Sequence, residues 1–108
     1  MVSNTIGRLQ QWYISNCDGA WEQDWGVEIG TLDNPGWSIK IDLKGTSLED
    51  LPFDEFGYGV GNDAEESDDW VLCRTTDGVF EAFGGPANLE EMLVRFLDWA
   101  DGHTLNPR

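Results

Sequence analysis

Apolar residues recur along this chain at two different spacings. In "NTIGRLQQWYISNC", residues 4–17, the positions Ile6, Leu9, Trp12 or Tyr13, and Cys17 fall at helical spacing. Ser3, Asn4 or Thr5 can cap the start, and Asp18-Gly19 is a stop signal. The period then drops to two. Trp25, Val27, Ile29 and Thr31 alternate with Gly26, Glu28 and Gly30, and after a turn Trp37, Ile39, Ile41 and Leu43 alternate with Ser38, Lys40, Asp42 and Lys44. Each run reads as a strand with one buried and one solvated face. The join between them sets the register. An even loop, Asp33 to Gly36, would place Ile39 and Ile41 opposite Gly30 and Glu28, and the two apolar faces would disagree. An odd loop, Leu32 to Gly36, pairs Thr31 with Trp37, Ile29 with Ile39, Val27 with Ile41 and Trp25 with Leu43. Pro35 and Gly36 then suit the second and third places of a type II turn.

Further along, Thr46 or Ser47 can cap a short turn through Asp50, which Pro52 ends. "FDEFGYGVG" reads as an irregular third strand and "NDAEESDD", 62–69, as an acidic loop. "WVLCRTT", 70–76, and "VFEAFGG" are strands joined by the two-residue hairpin signal Asp77-Gly78. Asn88 precedes a last helix, with Glu91 three residues on in a variant of the capping box. Leu89, Met92, Leu93, Phe96, Leu97 and Ala100 form its apolar stripe, and Gly102 is its expected stop. The pattern predicts an α+β fold in one domain, 1–108, with residues 103–108 as a flexible tail. An antiparallel sheet of about four to five strands, with the N-terminal and C-terminal helices packed on one face, buries every stripe.

Charge changes the picture most. Twenty-one acidic residues stand against six basic ones, for a net charge of −15 and a pI near 4.1. Such a field repels nucleic acid and anionic membrane and attracts cationic surfaces. Solubility or salt adaptation also accounts for acidity, so both readings stand at this point. "MVSNTIGRLQQW" has no apolar core of a signal peptide, and no run approaches membrane-spanning length, so a cytoplasmic protein is expected.

The chemistry-bearing residues are sparse. His103, the single histidine, falls in the expected tail, without the fixed neighbours a catalytic base needs. Cys17 lies at a helix C-terminus beside Asp18, where a thiolate is disfavoured, and Cys73 lies within a strand. Free buried thiols and one long-range disulfide are both compatible with this pair. Glu22 and Asp24 near Trp21 could form an acid pair in an aromatic cleft, although such neighbours arise by chance among 21 acids. "NDAEESDD" lacks the spacing and mid-loop glycine of an EF-hand. The expectation is no cofactor, no metal and no enzyme. Trp12, Trp25, Trp37 and Trp99 are expected in the core, whereas Trp21 and Trp70 border acidic segments and suit a partly exposed contact site.

"LQQWYISNCDGAWEQDWGVEIGTLDNPGWSIKIDL" and "WVLCRTTDGVFEAFGGPANLEEMLVRFLDWA" together resemble the immunity protein 53 family of bacterial polymorphic toxin systems. The stretch Trp12 to Glu22, the "TLDNPGW" turn and the "GGP.NLEE…FLDWA" ending carry the resemblance, and Leu48 to Asp69 matches least. The resemblance implies a small cytoplasmic protein that binds and neutralises a cognate toxin. Combined with the charge, it leads to a stoichiometric inhibitor whose partner has a basic surface, as a nuclease does. The expected toxin contacts are Asp63, Glu65, Glu66, Asp68, Asp69, Trp70 and Trp21. The alternative is a small acidic enzyme acting through Cys17 or the carboxylates near Trp21.

Overall fold

The computed structural model describes residues 4–33, 35–59 and 69–105. Its elements in chain order are α1 (Thr5–Asn16), α2 (Trp21–Asp24), β1 (Val27–Leu32), β2 (Gly36–Asp42), β3 (Phe56–Tyr58), β4 (Val71–Thr76), β5 (Val79–Gly84) and α3 (Leu89–Leu105). All strand pairs are antiparallel, in the order β1-β2-β5-β4-β3. The two hairpins are local, and the β2–β5 pairing joins them into one sheet.

The register of the first hairpin is the odd-loop one. Val27 faces Ile41, Ile29 faces Ile39 and Thr31 faces Trp37. The loop is shorter than expected, because Leu32 still pairs with Gly36. Gly36 lies in β2, outside the left-handed region occupied by Gly19, Gly45, Gly59 and Gly78, so the expected type II turn is not formed. Its glycine serves a different purpose. A Cβ there would collide with the carbonyl oxygen of Gly84 on β5, so only a bare backbone lets the strands approach. The Asp77-Gly78 hairpin is as expected, with φ of 53° and 78° at its two central residues, the left-handed pair of a type I′ turn.

The start of β1 differs from the sequence reading. β1 begins at Val27 where the alternation predicts Trp25, and residues 21–24 before it make a single helical turn. Asp18 Oδ1 accepts from the backbone N–H groups of Ala20 and Trp21, both at 2.9 Å, and Glu22 reaches back to the N–H groups of Asp18 and Gly19. "DGAWE" is thus a reciprocal cap, and the chain turns at Trp25-Gly26 before pairing begins. At the other end, α3 continues past Gly102 to Leu105. The first residues of the expected tail are therefore helical, and 106–108 lie outside the described residues.

One sheet face is covered. Ile39, Ile41, Val71, Cys73, Phe80 and Ala82 meet Met92, Leu93, Phe96, Leu97 and Ala100 of α3, all of them buried. The Phe80 and Phe96 rings stand 5.0 Å apart. α1 leans on α3, with Trp12 edge-on to Phe96 at 5.0 Å, and Arg8 bridges Asp98 and Asp101 at the surface. Among the described residues no helix is long and apolar enough to cross a membrane.

Candidate functional site

Between Lys44 and Arg74 the chain carries nine acidic residues and no lysine or arginine. The first part of that stretch is tied down. Thr46 Oγ1 donates to the carbonyl of Leu43 at 2.7 Å and accepts from the N–H of Leu48 at 3.1 Å, and the Leu48 side chain is buried. The chain then runs out along α3. Trp99 Nε1 donates to the carbonyl of Pro52 at 3.0 Å, and the Phe53 ring stands edge-on to both Phe80 and Trp99. Phe56 opens β3 beneath the Arg95 guanidinium, whose carbon is 3.5 Å from the ring centroid.

The result is an open groove of about 880 Å³ between residues 52–56 and α3. Its floor is aromatic, from Phe53, Phe56 and Trp99, and its charged groups are Asp54, Glu55, Glu91 and Asp98 against Arg95 alone. Asp98 is also paired with Arg8 outside the groove, and the excess of carboxylates over guanidinium still makes a surface that attracts cations, while the rings below it offer apolar contact area.

At the groove's end the two sides of the acidic stretch are stitched to the start of α3. Tyr58 donates to Glu91 at 2.5 Å, and Asn88 Nδ2 donates to Asp69 Oδ1 at 3.0 Å. The hydrogen bond to Glu91, with burial and the charges of Glu91 and Asp69, raises the Tyr58 phenol well above its ordinary pKa. Asn88 occupies the N-cap position, with its carbonyl accepting from Met92 N–H at 3.1 Å. Its side chain does not cap the helix as expected. The amide nitrogen is drawn to the carboxylates of Asp69 and Glu91, and its buried Oδ1 has no hydrogen-bond partner.

The description "Immunity protein 53" matches residues 6–101, most of the chain. The chain belongs to the immunity protein 53 family. Membership implies an immunity protein, one that acts against a toxin. No curated protein and no solved structure gives a significant match.

The contacts expected from sequence are distributed unevenly in this immunity protein. Asp69 is exposed at the groove's end and Trp70 beside it is half-buried. Asp63, Glu65, Glu66 and Asp68 lie outside the described residues. Trp21 is corrected: it is buried, not partly exposed. Its Nε1 donates to the carbonyl of Lys44 at 2.8 Å, and its ring meets Trp12 and Tyr13 edge-on. Trp25, expected in the core, is instead exposed, with Lys44 near its ring. The reciprocal cap at Asp18 explains the exchange, since it turns Trp21 inward and leaves Trp25 outside the strand. Phe53, Phe56, Glu91, Arg95 and Trp99 were not singled out as site residues. Their one sequence signal was the lack of basic residues through the stretch opposite them.

The groups named for an enzyme have other partners here. Glu22 holds two backbone N–H groups, and the half-buried Cys17 donates its S–H to the carbonyl of Tyr13 at 3.2 Å. Burial pushes the Cys73 thiol up to about 11. A chromogenic thiol reagent at pH 8 is therefore expected to label one cysteine, Cys17, in the native protein and both in urea. Equal labelling in the native state would contradict the burial of Cys73. Because its pKa is raised on folding, Cys73 contributes stability fully below the ordinary thiol value of 9.0. That contribution is lost as pH rises through about 11. Among the described residues no group of three or more His, Cys, Asp or Glu side chains is placed to hold a metal ion.

Proposed function

We propose that this immunity protein acts in the cytoplasm as a stoichiometric, non-catalytic inhibitor of a toxin with a basic surface, such as a nuclease. One observation carries the reading. Residues 52–56 of the acidic stretch lie along α3, so that Asp54, Glu55, Glu91 and Asp98 border one groove floored by aromatic rings, and Asp69 is hydrogen-bonded to Asn88 at the start of the same helix. Carboxylates at the rim steer a cationic partner and set its orientation, while buried ring contacts supply most of the affinity. Asp63, Glu65, Glu66 and Asp68 belong to the same stretch and extend the negative field. Trp70 is adjacent to it. The field also disfavours nucleic acid and anionic membrane as partners.

Titration of the cognate toxin tests this. Toxin activity is expected to fall linearly with added protein and to reach zero at one equivalent. Complete inactivation by a small fraction of an equivalent, growing with time, would instead identify an enzyme that modifies the toxin.

A further inference from the structure

The sheet ends on two edges that differ sharply. β3 is three residues long, and short edge strands resist pairing with other chains. β1 pairs with β2 over six residues without a bulge, and it contains neither proline nor lysine. Among the described residues no strand pairs with its outer side. The N–H of Asp42 donates to the carbonyl of Gly26 at 3.0 Å, so by alternation Glu28, Gly30 and Leu32 turn their backbone groups toward β2. Val27, Ile29 and Thr31 turn theirs outward.

The same edge carries the uncovered apolar surface. Ile29 shares a face with fully buried Ile39, yet it is 40% exposed. Beside it a groove of about 370 Å³ runs between α1 and β1, lined by Ile6, Leu9, Gln10, Tyr13, Gly26 and Val27, with no charged side chain. Ile6 at 58% and Tyr13 at 37% exposure stand at its rim. Apolar surface of this kind on a soluble domain marks contact with another chain.

The open face of the sheet says which chain. Arg74 pairs with Glu81, Glu81 with Lys40, and Lys40 with Glu28. Charges alternate across four strands, and the row stops at the edge on exposed Glu28. The next strand in line would complete it with a cation. A second copy does not. Antiparallel pairing of β1 with itself about Ile29 sets Gly30 opposite Glu28 and brings the two Glu28 carboxylates near each other, on molecules of net charge −15 each.

We infer that the β1 edge docks an extended segment of a partner protein, added as a sixth strand, whose side chains alternate between basic and apolar. A basic residue faces Glu28 on the open side, and its apolar neighbours enter the groove between α1 and β1. Backbone hydrogen bonds provide affinity and the alternating side chains provide selectivity. This site is separate from the acidic groove, and either can fail without the other.

The test uses the full chain, labelled with 15N, and three capped heptapeptides. In one, valine and lysine alternate. The second has the same residues in two blocks, and in the third glutamate replaces lysine. The alternating lysine peptide is expected to shift the amides of Val27, Ile29 and Thr31 and to bind about tenfold tighter than the blocked one, since only order differs between them. Ile29→Lys, on an exposed side chain, should remove that advantage. Glu28→Lys should move the preference to the glutamate peptide. Equal binding of the two lysine peptides, or shifts confined to the acidic groove, would mean simple charge attraction and overturn the inference. So would a concentration-dependent dimer that Ile29→Lys abolishes, since the edge would then belong to a second copy.

Discussion

Phe96→Ala is expected to lower the unfolding free energy by about 3–5 kcal/mol, the usual cost of emptying an aromatic site in a packed core. Its ring is fully buried and lies within 5.0 Å of both Trp12 and Phe80, with Trp99 at 6.1 Å. These partners come from α1, β5 and α3, so one side chain joins the sheet to both long helices. None of the three can follow the missing ring, because each is held elsewhere: Trp99 by the Pro52 carbonyl, Trp12 by Trp21, Phe80 by its place in β5. A domain of this size has roughly 5–15 kcal/mol in all, so the variant loses a large share of its stability. Urea unfolding followed by tryptophan fluorescence measures it. A loss under about 1 kcal/mol would show that the site collapses freely and that the packing described around Phe96 is wrong. Because Trp99 also forms the groove's floor, toxin binding should weaken alongside stability.

Reversing four charges, Asp54→Lys, Glu55→Lys, Glu65→Lys and Glu66→Lys together, is expected to slow toxin association by about ten- to a thousandfold at low salt. The change takes the net charge from −15 to −7, and Asp54 and Glu55 border the groove. Long-range attraction of exposed charges is screened within roughly 8 Å at physiological ionic strength, so the difference should shrink steeply as salt is added. Dissociation should change less, since rim charges act mainly on encounter. Stopped-flow association rates across a salt series give the answer. Rates unchanged at low salt would place the toxin on another surface. Asp54 and Glu55 are exposed, so stability should be nearly unaffected.

The two predictions draw on parts of the molecule that were unequally legible. Phe96 belongs to the stripe Leu89 to Ala100, whose spacing marks a buried helical face without any structure. The hairpin register follows from Ile29, Ile39, Val27 and Ile41 having to share one side of the sheet. The type I′ turn at Asp77-Gly78 follows from backbone sterics. The groove was not legible, because Phe53, Phe56, Arg95 and Trp99 converge only when residues 52–56 lie against α3. Trp21 and Trp25 were exchanged for a related reason. Trp25 alternates with the strand residues after it and Trp21 borders acidic residues, while the hydrogen bonds of Asp18 and Glu22 settle a helical turn that takes Trp21 inward. Asn88 was expected to cap α3, but carboxylates distant in sequence took its amide instead.

The sequence alone determined the α+β class, the helix faces, the strand alternation, the first hairpin's register and the strong negative charge, because each depends on local spacing or on composition. Only the tertiary structure decided that β2 pairs with β5, that β1 is an edge strand among the described residues, and that residues 52–56 meet α3 over aromatic rings. Periodicity states that a face must be buried and does not name what buries it. That choice depends on packing between residues far apart in the chain.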